Sequence, residues 1–77
     1  MNQEQLKKEL TKAKEILDKS MESENGELAK KLQIIYNFLL SLAEPERFND
    51  VDKEALRRLA QELNYNENSS FEDWVNG

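Results

Sequence analysis

The sequence predicts an all-α fold: a small up-down-up bundle of three helices with a short fourth helix at the C-terminus. Three observations point to it. Apolar residues recur at intervals of three and four along most of the chain, and no segment alternates convincingly at a period of two. Breaks fall at Asn25-Gly26, at Pro45 and across Asn64 to Ser69. Residues 1–77 read as one domain, with no internal repeat, Pro-rich linker or low-complexity run.

The first helix is expected over about 3–24. Leu6, Leu10, Ala13, Leu17 and Met21 form a narrow apolar stripe flanked by Ile16, while Lys and Glu occupy the other faces. Asn2 is placed to cap its start, with Gln5 three residues on in the manner of a capping box. Glu4–Lys8 and Glu15–Lys19 are candidate ion pairs at i,i+4. At the far end Gly26 is expected to take the positive φ that closes a helix.

The second helix, expected over about 27–44, is apolar around much more of its circumference. Leu28, Leu32, Ile35, Leu39 and Leu42 make its main seam, and Ile34, Tyr36, Phe38, Leu40 and Ala43 widen it. So broad an apolar arc needs neighbours on at least two sides, which makes this helix the centre of the bundle. Pro45 has no amide proton and restricts the residue before it, so the helix stops near Glu44.

Glu46 to Asn49 is a short connection with Phe48 as its apolar plug. Asn49 or Asp50 caps the third helix, where Asp52 and Glu54 suit the positive end of the dipole. Its stripe is Leu56, Leu59, Ala60 and Leu63. Ser70 is the expected cap of a last short helix that carries Phe71, Trp74 and Val75 on one side.

Composition narrows the chemistry. There is no Cys and no His, so neither a disulfide, a thiol nucleophile, a zinc-type site nor the commonest general base is on offer. Carboxylates are plentiful, yet they read as lying on solvated faces or at helix starts. With two glycines there is no phosphate-cradling loop. The expectation is a protein that is not an enzyme and takes no cofactor. The N-terminus, Met-Asn-Gln-Glu-Gln, lacks a signal-peptide pattern, and Leu32 to Ala43 is too short to span a bilayer. A cytoplasmic protein with no membrane contact is expected.

Charge is uneven. Residues 1–48 hold 9 acids against 8 bases, whereas residues 49–77 hold 7 acids against Lys53, Arg57 and Arg58. An acidic end attracts basic surfaces and repels phosphate backbones. Tyr65, Phe71 and Trp74 lie among Glu67, Glu72 and Asp73, acids without bases nearby in the sequence. These six are the candidate partner-binding residues, since aromatics dominate binding hot spots. The competing structural role for the rings is to close the open end of the bundle.

Residues 59–77 also carry a known pattern. Leu59-Ala60-Gln61-Glu62-Leu63-Asn64-Tyr65, then Phe71, Trp74 and Asn76-Gly77, resembles the helix-turn-helix of phage-repressor-like DNA-binding domains. That resemblance implies a helix–turn–helix shape with base contacts from the last helix. The sequence departs from it with Asn64 where the family has Gly, and with Glu67, Glu72 and Asp73 where phosphates need Lys or Arg. Nucleic acid is therefore disfavoured as a partner.

The expected function is a small acidic protein-binding module, an adaptor, inhibitor or immunity- or antitoxin-like regulator that occupies a larger partner's basic surface. The alternatives are a regulator built on the degenerate helix-turn-helix, and a homo-oligomerisation module. A homodimer centred on the second helix stays open, because Ile34 and Phe38 lie to one side of its seam.

Overall fold

The computed structural model describes residues 2–23, 26–65 and 71–76, with Asn76 described by its backbone alone. In chain order it contains α1 (Gln3–Glu22), α2 (Gly26–Ala43), a single 3-10 turn (Pro45–Arg47), α3 (Asp50–Glu62) and α4 (Phe71–Asn76). The fold class is the one the periodicity predicts. Helices α1 and α3 each pack on α2, and α4 packs on α1. Among the described residues no strand forms, and no helix is long and apolar enough to cross a membrane.

Local capping starts two of the helices as the sequence implies. The Asn2 side-chain oxygen accepts the Gln5 N–H at 2.8 Å, and that of Asn49 accepts the Asp52 N–H at 2.7 Å. Each removes one of the unpaired donors of a helix N-terminus.

The inward face of α1 differs from the expected stripe. Leu6, Glu9, Ala13, Leu17 and Ser20 are buried, whereas Leu10 and Ile16 are half-buried flanks. Met21 is 61% exposed, because Ser20 takes the inward position of the last turn and the next residue lies about 100° further round. The helix closes at Ser23, whose N–H reaches the Lys19 carbonyl at 3.0 Å.

Gly26 is not the left-handed residue that ends α1. It is the first residue of α2, and the left-handed position belongs to Asn64, with φ 63°.

Helix α2 is the centre. Leu32, Ile35 and Leu39 are fully buried, Phe38 and Ser41 nearly so, and Leu28 and Leu42 half-buried at the seam's ends. The Ser41 hydroxyl is satisfied locally, donating to the Phe38 carbonyl at 2.6 Å. Pro45 ends the helix as expected, and the 3-10 turn it opens leads to a half-buried Phe48.

Only Ala60 of α3 is buried, with Leu56 and Leu63 half-buried. Leu59 was expected in the same stripe but is 39% exposed. A helix that packs on α2 chiefly through a small residue has a narrow contact line, and Leu59 falls outside it.

Ion pairs among the described residues are Lys12–Glu72, Arg47–Glu44, Lys53–Asp50 and Arg58–Glu54. Glu4–Lys8 and Glu15–Lys19 do not close. An exposed pair of long side chains gains little and loses rotamer freedom.

Candidate functional site

The site is built at the end of α3. Asn64 stands in the left-handed conformation, and two backbone bonds follow from it. The Tyr65 N–H donates to the Ala60 carbonyl and the Asn64 N–H to the Gln61 carbonyl, both at 2.9 Å. This is the paired Schellman closure, and asparagine is the residue that most readily replaces glycine at its left-handed position.

The closure turns Tyr65 into the core, where its ring meets Phe38 edge-on at 6.0 Å and Trp74 edge-on at 6.0 Å. Such T-shaped contacts align the positive edge of one ring with the negative face of another. Phe71 is fully buried and lies 5.8 Å from Trp74 in a tilted contact.

What holds α4 comes from a helix far away in sequence. The Phe71 N–H donates to the carboxylate of Glu9, with its Oε2 at 2.8 Å and the two residues 62 positions apart. Glu9 is only 7% exposed. This corrects the expectation that every carboxylate is solvated or at the start of its own helix: Glu9 is buried mid-helix in α1 and caps α4. Whether Ser70 caps α4 lies outside the described residues. One turn on, Lys12 pairs with Glu72 at 3.2 Å. Glu72 therefore does have a basic partner, supplied by α1.

Trp74 makes the link to α3. Its indole N–H donates to the Leu63 carbonyl at 2.8 Å, satisfying one of the free carbonyls at that helix end. Helix α4 thus bridges the two outer helices, through Glu9 and Lys12 on one side and Leu63 on the other.

Beside this junction runs an open groove. Leu28, Leu63, Trp74 and Val75 supply its apolar surface, and Lys31, Glu62, Asn64 and Asp73 its polar surface. Trp74 and Val75 are half-buried, and Asp73 is exposed.

The six candidate residues therefore divide. Tyr65 and Phe71 are core; Glu72 is exposed and paired with Lys12; Asp73 and Trp74 line the groove; Glu67 lies outside the described residues. Leu28, Lys31, Glu62, Leu63, Asn64 and Val75 complete the groove and are not among the six partner-binding candidates. Leu28 and Lys31 belong to the start of α2, and no pattern in the sequence places that segment against α4.

The helix-turn-helix resemblance meets the same geometry. The slot in which that family carries glycine is the left-handed Asn64. The exposed charges at the start of α4 are Glu72 and Asp73. Among the described residues no group of three acidic side chains is placed to hold a metal ion. Comparison with known proteins finds no matching family model, no matching curated protein and no matching solved structure.

Proposed function

We propose that this chain is a non-catalytic protein-binding module that occupies a surface of a larger partner through the groove beside Trp74. The observation that carries the reading is the bond from the Trp74 indole to the Leu63 carbonyl. It fixes the ring before any partner arrives, so association costs little further rotamer freedom. Part of the residue remains at the surface, next to Leu28, Leu63 and Val75. A large aromatic with a satisfied polar atom, set beside apolar neighbours in a depression with a polar rim, is a typical hot spot.

The rim selects the partner's chemistry. Glu62 and Asp73 line it together with Lys31, and the chain carries a net charge of −5. The complementary element is an apolar side chain flanked by Lys or Arg on a protein surface. Phosphate-rich partners are repelled by the same charge. The absence of His and Cys leaves the groove without a conventional nucleophile or neutral-pH base, which supports occupancy rather than turnover.

The test uses affinity capture by the tagged chain beside its Trp74→Ala and Asp73→Lys variants. A basic protein retained by the parent chain and released by both variants supports the reading, provided the variants melt cooperatively. Retention that ignores both substitutions, or steeply salt-dependent retention on heparin in place of any protein, contradicts it.

A further inference from the structure

The outward face of α3 carries apolar residues that the bundle does not use. Val51 is 77% exposed, Leu59 39%, and Ala55 between them is exposed as well. They stand four residues apart in one row, and Glu54 and Arg58 stand in the row beside them. These five side chains and Glu62 line a shallow depression around the small Ala55. Arg58 and Glu54 pair within the chain at 3.6 Å, both largely exposed.

We propose that this face pairs with the same face of a second copy of the chain, antiparallel, about a two-fold axis at Ala55. The register follows from the helix rise of about 1.5 Å per residue. Val51 and Leu59 lie about 6 Å from Ala55 in opposite directions along the axis. A two-fold at Ala55 therefore sets Val51 of one copy at the same height as Leu59 of the other, twice. Ala55 meets Ala55 at the crossing, and its small side chain lets the helices approach closely.

The charges obey the same symmetry. Arg58 lies about 4.5 Å beyond Ala55 and Glu54 about 1.5 Å before it. The two-fold keeps this row on one side of the interface and reverses its direction. Arg58 of each copy then comes within about 3 Å, measured along the axis, of the other copy's Glu54. A parallel pairing would instead carry the two charge rows to opposite sides of the interface, where Arg58 of one copy does not meet Glu54 of the other. The face is thus complementary to itself in one orientation, which is the condition for an isologous dimer.

One face of a 13-residue helix is smaller than the roughly 1,200 Å² that stable complexes bury. The dimer is accordingly weak, with a Kd between about 1 μM and about 1 mM. Glu62 lines both this depression and the Trp74 groove, whereas Glu54, Ala55 and Arg58 line this one alone, so substitutions at those three test the dimer without touching the groove.

Sedimentation equilibrium from about 10 μM to about 1 mM tests it, a range that brackets the expected Kd. The expected result is a monomer–dimer equilibrium. Arg58→Glu and Glu54→Arg should each weaken it about tenfold or more. An equimolar mixture of those two variants, or both changes in one chain, should restore the parent affinity, because opposite charges again face each other. Ala55→Glu, which sets two carboxylates across the axis, should abolish the dimer with the melting temperature unchanged, and Trp74→Ala should leave it intact. A chain that stays monomeric to about 1 mM overturns the proposal. So does a dimer indifferent to Ala55→Glu, or single swaps that the complementary swap fails to rescue.

Discussion

The carboxylate of Glu9 accepts the backbone N–H of Phe71 at 2.8 Å, tying the first helix to the start of the last across 62 residues of sequence. A six-residue helix has too few internal bonds to persist alone, so α4 exists because α1 and α3 hold it. The position of Trp74 in the groove depends on that attachment.

Glu9→Ala should release α4. It removes a buried, charge-assisted acceptor and leaves the Phe71 N–H without its partner, at a cost of about 1.5–3 kcal/mol. Glu9→Gln keeps an acceptor oxygen in place and should cost less than half as much. Thermal melts give the two costs, and hydrogen exchange at the Phe71 amide locates them. Equal loss in both variants would mean that Glu9 matters only as packing.

Asn64 holds the left-handed turn on which Tyr65 depends. Asn64→Gly should keep or raise the melting temperature, because glycine takes this conformation without a Cβ penalty. Asn64→Val should lower stability by about 1–2 kcal/mol. Equal melting temperatures for the two would show that the turn relaxes to a right-handed form.

Gly26 opens α2 with no positive φ, and a Cβ built there meets nothing within 4 Å. Gly26→Ala should therefore stabilise the fold by about 0.4–1 kcal/mol through the unfolded chain's lost freedom. A destabilised variant in chemical denaturation would show that the turn before α2 needs glycine after all.

Leu39 is fully buried at the middle of α2. Leu39→Ala should cost on the order of 2–5 kcal/mol, a large share of what so small a domain possesses. Cooperative unfolding with under about 1 kcal/mol lost would mean that α2 is not the centre of the core.

The parts of this fold that were legible in the sequence are those set by near neighbours. Asn2 and Asn49 act within three residues, Pro45 within one, and the Leu32–Ile35–Leu39 seam is apolar at every inward turn. What escaped was set by distant residues. Glu9 is charged and looks solvated until Phe71 is brought to it, and the turn at Asn64 can be placed while its handedness cannot. Leu59 and Met21 extend apolar stripes beyond what the neighbouring helices cover, so periodicity alone counts them as core. The groove was half legible: Trp74 and Asp73 stand out by type, whereas Leu28 and Lys31 join them only through tertiary packing.

The most direct test of the Trp74 groove as a binding surface is the dissociation rate of the captured partner from parent and variant chains, read beside their melting curves. Trp74 is the only tryptophan, so the Trp74→Ala variant has no tryptophan fluorescence and a label on the partner follows both chains. Trp74→Ala should speed dissociation by about thirtyfold, equivalent to about 2 kcal/mol. Neutralising Glu62 and Asp73 should instead slow association, more so at low salt. If Trp74→Ala lowers the melting temperature while the molecules that remain folded bind as tightly as before, the ring serves the core alone and the groove is not where the partner binds.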